Sequence, residues 1–475
     1  MRRQRIGVAL AATLFLAGSV GGVSGCTALQ RGDPGSTSRS SAPPTLAPAA
    51  STASPAVTPT AHTGTTADGP ELPRPVLEAA DVENAPQAAA LAKKITAVRV
   101  KDVKGSYSGA VIDVASGRLL FNHSAGSPHI PASTLKVITS AAALAILGPD
   151  HRFATSVASP RSGQIVLVGG GDPYLTAKKS NAYPRPASIN ALADRTAAAL
   201  RKSKITEVRL GYDSSLFEGP AWNPLWPAGY GDAVTPTSAL WVDQGRASVA
   251  PRTSDPAKQA AAAFGKALKK RGVSVTSTGR TKAPEGAESL AVVRSQPLER
   301  VVEQLLMTSD NDAAEVILRQ AAIGAGRRGT TADGVFAVQA ALTKLGVWYS
   351  GTTMRDGSGL ARQSKVPAAT LARLLRLAAG NDHPELRPVI TGLPVAGAEG
   401  TLRARFFDDQ SLAGRGIVRA KTGTLREVHT LAGVIRTSDG SLLSFAFLIN
   451  NPKSAFAANV WLDRVTTAIS RCGCG

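Results

Sequence analysis

The 475-residue sequence predicts an α/β chain of the α+β kind, an antiparallel sheet flanked by helices with a mixed region inserted into it. Three observations carry this. An early stretch, "GSYSGAVIDVASGRLLFNHSAG", gives two strand runs around the turn signal "ASG". A late stretch, "GIVRAKTGTLREVHTLAGVIRTSDGSLLSFAFLINN", gives three more, and Asp439-Gly440 within it suits a tight hairpin. Helical patterns dominate between them, so one sheet is expected to be built from both ends of the chain.

The elements follow in order. Arg2, Arg3 and Arg5 precede the apolar run "IGVALAATLFLAGSVGGV" and then "VSGC", ending at Cys26. Residues 1–26 have the layout of an export signal. Small residues ending in cysteine resemble a bacterial lipobox, which implies cleavage before Cys26 and its lipidation. A plain secretory signal and an uncleaved anchor helix are the alternatives. No later apolar run reaches the ~18 residues of a membrane span, so the remainder is expected to be soluble and extracytoplasmic. Residues 27–80 are mostly Ser, Thr, Pro and Ala. They hold too little apolar surface to offset ordering entropy, and read as a disordered tether.

Residues 81–155 start the folded part, with the helix-like "APQAAALAKKITAV", the early hairpin and "PASTLKVITSAAALAILGPD". In the last of these, Leu135, Ile138, Ala142 and Ile146 fall at helical spacing, and Gly148-Pro149 stops the run. Over 156–295 the character changes. Short strands such as "GQIVLVGGGDPYL" and "KITEVRLGYD" alternate with helices such as "SINALADRTAAALRKS" and "PAKQAAAAFGKALKKRG". This reads as an insertion of one or two small domains. Residues 296–475 return to the main body with helices "PLERVVEQLLM" and "DAAEVILRQAA", the three late strands and a closing helix, "SAFAANVWLDRVTTAISR".

Lys and Arg number 54 against 34 Asp and Glu, a net charge of +20. The basic residues are spread along the chain, with no aromatic-interleaved basic motif and no zinc spacing. Nucleic acid is therefore not an expected partner; an anionic cell envelope suits the charge equally well. No metal or other cofactor is called for. The histidines form no H-E-x-x-H motif, and Cys472 and Cys474 in "RCGCG" are too few for a metal site. They read as a frayed tail, with a strained local disulfide as the alternative.

The chemistry lies in three short motifs. Ser133 and Lys136 stand at i and i+3, neighbours on one helical face. A serine at a helix start has backbone N–H groups nearby to stabilise an oxyanion, and a buried lysine of lowered pKa can act as its base. Alone, the pair also fits a capping serine and a solvated lysine. "SDN", Ser309 to Asn311, sits between two helices and also suits a helix cap; Ser188-Ile189-Asn190 is a second S-x-N match. "KTG", Lys421 to Gly423, opens a strand, where Gly423 permits close backbone approach. "DGSGL", residues 356–360, lacks the G-x-S-x-G pattern and reads as a tight turn near the site. His429 reads as a packed or exposed strand residue.

S-x-x-K, S-x-N and K-T-G in that order, each on a suitable element, form the set found in β-lactamases and penicillin-binding proteins. The sequence resembles the penicillin-binding D-alanyl-D-alanine carboxypeptidases/endopeptidases of the class C low-molecular-weight type. Residues 169–175, 235–246, 356–363 and 393–405 look like that group as well. The resemblance covers about residues 85 to 470 and implies a β-lactamase/transpeptidase-like core. It implies that Ser133 attacks the carbonyl between two D-alanines and that Lys136 takes its proton. Ser309 and Asn311 would complete a proton relay and hold the substrate amide. Lys421 and Thr422 would hold the terminal carboxylate, beside Gly423, and the N–H groups of Ser133 and Thr424 would bind the oxyanion. Burial and the nearby charge of Lys421 would keep Lys136 neutral. The implied partners are peptidoglycan stem peptides, β-lactams as covalent inhibitors, and a membrane through the N-terminal anchor. A β-lactamase or esterase, or a β-lactam sensor without turnover, are the other readings of the same scaffold.

Overall fold

A computed structural model describes residues 86–181, 185–246 and 252–473. The expected export signal, Cys26 and the tether lie outside the described residues. The first part comprises α1 (Ala88–Ala97), β1 (Ser106–Asp113), β2 (Leu119–His123), β3 (Pro128–His129) and α2 (Leu135–Leu147). Next come β4 (Ala154–Arg161), β5 (Gln164–Val168), α3 (Ile189–Lys202), β6 (Glu207–Asp213), α4 (Pro256–Lys269), β7 (Ser274–Arg280) and β8 (Glu288–Arg294). The last part holds α5 (Leu298–Thr308), α6 (Asn311–Gly324), α7 (Thr331–Lys344), β9 (Val366–Pro367), α8 (Ala368–Ala379) and α9 (Arg387–Thr391). It closes with β10 (Arg419–Leu425), β11 (Val428–Arg436), β12 (Leu442–Asn450) and α10 (Ala455–Ser470).

The main sheet runs β10-β11-β12-β1-β2, antiparallel throughout, so early and late strands do share one sheet. Its seam is β1 against β12, with Ala110 opposite Ala446 and Val111 opposite Phe445. Alternate residues face opposite layers, as the pleat demands. Ala110, Ala432, Val434, Ala446 and Leu448 pack with α2, α5, α6 and α8. Val111, Leu431, Phe445, Phe447 and Ile449 pack with α1 and α10. Both faces are covered, which is why β11 and β12 read as nearly continuous apolar runs.

The middle of the chain builds a second five-stranded sheet, β7-β6-β5-β4-β8, in which β5-β6 and β6-β7 are parallel and the other pairs antiparallel. Helices α3 and α4 supply its own apolar cluster, centred on Leu192, Ala197, Leu210 and Phe264. The second S-x-N match is settled here. Ser188 caps α3 by accepting the Ala191 N–H at 3.1 Å. The C-terminal tail is not frayed at Cys472, which is fully buried and disulfide-bonded; the packing of α10 carries the chain inward there.

Candidate active site

Helix α2 is buried from Leu135 to Leu144, apolar on nearly every side, and Lys136 is its one charged residue. A 3-10 turn, Ala132–Thr134, leads into it, so Ser133 precedes the α-helix proper. Ser133 is half-exposed while its neighbours Ala132 and Thr134 are buried. Distant residues fix this turn. The Asn450 side chain on β12 accepts the Ile130 N–H at 2.8 Å and donates to the Ile130 carbonyl at 3.2 Å. Thr430 on β11 donates its hydroxyl to the Pro131 carbonyl at 2.8 Å. Neither residue carries a sequence signal of its own.

Lys136 Nζ donates to Ser133 Oγ at 2.9 Å, to Asn311 Oδ1 at 2.7 Å and to the Ser358 carbonyl at 2.8 Å. The third contact explains "DGSGL", which is indeed a tight turn at the site. Glu315 Oε1 accepts the N–H groups of Gly357 and Ser358 at 3.0 and 2.8 Å. Asp356 accepts the N–H groups of Gly359 and Ala361 and the Trp226 Nε1–H. Gly359 has φ +83°, and a Cβ there would stand 1.9 Å from the Ala132 carbonyl oxygen. Glycine is required by both conformation and space.

Ser309 ends α5 in the left-handed conformation, φ 57°. Asp310 then caps α6 by accepting the Ala313 N–H at 3.0 Å, which starts the next helix at Asn311. The sharp reversal between two helices puts Ser309 and Asn311 at the site while Asp310 serves the backbone. Lys421 on β10 donates to Ser309 Oγ at 2.8 Å and to the Thr422 carbonyl at 2.9 Å. Thr422 shares a 2.8 Å hydroxyl contact with Thr401. Gly423 passes so close to the nucleophile turn that a Cβ would lie 2.7 Å from the Pro131 oxygen and 3.1 Å from the Ser133 nitrogen. Thr424 is exposed on the same strand, opposite His429. His429 itself is buried and packs against Asn459.

The five polar side chains therefore form a trio, Ser133–Lys136–Asn311, and a pair, Ser309–Lys421. Both lysines are fully buried. Burial lowers Lys136 to about 8 against the pull of Asp356, Glu315, Asp310 and Asp312. Burial, then the Lys136 charge, holds Lys421 well below its ordinary value. The expected neutrality of Lys136 is thus only partial. Four carboxylates counter its desolvation, and the repulsion between the two ammonium groups falls on Lys421.

A serine hydroxyl on a buried lysine, a second lysine–serine pair and a strand whose glycine abuts the serine turn are the arrangement of the S-x-x-K, S-x-N, K-T-G class. The sequence pattern of the D-Ala-D-Ala carboxypeptidase 3 (S13) family matches residues 88–252 and 246–467, and the chain belongs to that family. It is 34% identical over 432 residues to a carboxypeptidase of Mycobacterium tuberculosis, covering 86% of this chain and 91% of that one. It is 35% identical over 396 residues to the carboxypeptidase DacB of Mycolicibacterium smegmatis, covering 81% and 85%. The fold is similar to that of penicillin binding protein 4 from Haemophilus influenzae, with TM-score 0.65 and 21% identity over 79% of this chain and 97% of that one.

Proposed function

We propose that the protein is a serine-type D-Ala-D-Ala carboxypeptidase, with endopeptidase capacity, acting on peptidoglycan stem peptides and acylated by β-lactams. The observation that carries this is the set of partners around Lys136. A neutral lysine has two N–H donors and one lone pair. Asn311 Oδ1 and the Ser358 carbonyl oxygen are pure acceptors and take the two N–H groups. Ser133 Oγ, the remaining neighbour, can then donate its proton to the lone pair.

In this reading the Ser133 oxygen bonds to the carbonyl carbon between the two D-alanines as Lys136 takes its proton. The N–H groups of Ser133 and Thr424 receive the oxyanion. The carbon–nitrogen bond breaks, and the proton taken up by Lys136 passes by way of the Ser309–Lys421 pair to the leaving amine, which leaves Lys136 neutral again. Water then attacks the acyl-enzyme, returning the proton and releasing the shortened peptide. Lys421 and Thr422 hold the terminal carboxylate, and Gly423 lets the Ser133 turn lie close to β10. Glu315 does not offer the water-activating carboxylate of a class A β-lactamase. It is spent on the Gly357 and Ser358 N–H groups, and burial, then Asp356, raises its pKa above the usual carboxylate range. Residues 156–295 are proposed as an inserted domain, with 81–155 and 296–475 as the two parts of the catalytic one. The enzyme works in the cell envelope, with the lipidated Cys26 proposed as its anchor. Among the described residues no helix is long and apolar enough to cross a membrane.

The test is covalent labelling. Detergent-solubilised protein is incubated with a fluorescent penicillin, and separately with a pentapeptide ending in D-Ala-D-Ala. A labelled adduct on Ser133 and slow release of D-alanine are expected. An unlabelled wild type, or equal labelling of Ser133→Ala, overturns the reading.

A further inference from the structure

The three residues that follow Ser309 are each held by the inserted region. Asp310 Oδ2 accepts from Gln244 Nε2 at 2.8 Å and lies 3.7 Å from Arg246. Asn311 Nδ2 donates to the Ala233 carbonyl at 3.0 Å. Asp312 Oδ1 accepts the Thr235 N–H at 2.7 Å. Its Oδ2 accepts from Arg252 Nη1 at 2.6 Å and from Arg246 Nη2 at 3.0 Å. Arg252 also reaches Thr235 Oγ1 at 3.3 Å, and that hydroxyl donates to the Gln244 carbonyl at 2.7 Å. One short segment, residues 233–235, therefore grips two consecutive residues of α6.

The grip has a chemical consequence. The Ala233 carbonyl can only accept, so it must face the Asn311 amide nitrogen. That leaves Asn311 Oδ1 turned toward Lys136. If the segment moved by about an ångström, the amide would be free to flip and present N–H groups to Lys136. The lysine would then lose one of the two acceptors that aim its lone pair at Ser133. The charged part of the clamp is built to resist such movement. The Asp312 side chain is wholly buried and Arg252 nearly so, at 0% and 16% exposure. A buried carboxylate is tolerated only when paired and hydrogen-bonded, so the two cannot part cheaply.

We propose that Arg252 and Asp312 are positioning residues for the acylation of Ser133, acting through the Ala233 carbonyl on the Asn311 amide. The inserted region is then part of the catalytic apparatus. This rests on the function proposed above.

The test uses Arg252→Met in the whole chain, since Arg246 remains to pair with Asp312. Acylation by fluorescent penicillin is measured per active site, after titrating the active fraction. The rate constant should fall about 10²-fold, the scale of an ångström of misplacement. Arg252→Lys should recover most of it. In an Asn311→Ala background Arg252→Met should cost nothing further, because the lever it acts through is gone. Asp312→Asn, which keeps the Thr235 acceptor, should give the same cycle and serves if Arg252→Met does not fold. A wild-type rate per active site, or full additivity with Asn311→Ala, overturns the proposal. The clamp also has a readout independent of chemistry. The Asn311 side-chain amide should give one sharp pair of NMR signals in the wild type and a broadened pair in Arg252→Met. Unchanged signals overturn the proposal. Normal broadening in a protein that penicillin never labels would instead refute the proposed function alone.

Discussion

Raising the pH from about 7 to about 9 should speed acylation of Ser133 roughly tenfold, because only the neutral lysine can accept the serine proton. The magnitude follows from the site. Burial brings Lys136 to about 8, against an ordinary 10.5. Roughly a tenth of the molecules then carry a neutral Lys136 at about pH 7, and roughly nine-tenths at about pH 9. The sign follows from the same group: a base with lowered pKa gains activity as pH rises through that value and levels off above it. Stopped-flow acylation by a fluorescent penicillin, normalised to active sites, reads the profile. Lys136→Met should remove the rising limb and lower the plateau by about 10²–10⁴, the usual worth of a general base. A flat wild-type profile between about pH 6 and about pH 9, or an unaltered limb in Lys136→Met, would refute the reasoning.

Two further outcomes are expected. Gly359→Ala puts a methyl group 1.9 Å from the Ala132 oxygen at a left-handed position. It should lower both Tm and acylation, the latter by about 10²-fold, since the displaced residue adjoins Ser133; a wild-type rate constant would show that this turn does not set the nucleophile. Cys26→Ala should release the protein from membranes in a fractionation assay, and retention would favour an uncleaved apolar helix.

The motifs were legible in the sequence because each is local. Ser133 and Lys136 are one helical turn apart, and Ser309 to Asn311 form one reversal between helices. The sharing of one sheet by early and late strands was legible too, since β1, β2, β10, β11 and β12 carry strong patterns and turn signals. The supports were not. Asn450 reaches Ile130 across 320 residues, and Trp226 reaches Asp356 across 130. No local pattern distinguishes a clamping asparagine from any other polar residue at a strand end. Asp312 illustrates the limit best. In sequence it suits a helix cap, but Asp310 takes that role and Asp312 turns inward to two arginines. The charge balance around Lys136 was hidden for the same reason, because Glu315 and Asp356 meet it only in the folded chain.

The seam between β1 and β12 has a consequence for synthesis. Chain growth delivers the first hairpin and the helix bearing Ser133 and Lys136 long before residues 442–450 exist to pair with β1. Until then β1 has one edge without its native neighbour, and Asn450 is not yet present to seat Ile130. Such distant pairing is slow, since loop closure must be met before the contacts return anything. An unfinished chain thus holds its nucleophile without the strands that aim it. The arrangement around Ser133 is complete only once β12 has paired with β1, so a chain that stops before residue 442 is expected to lack acylating activity.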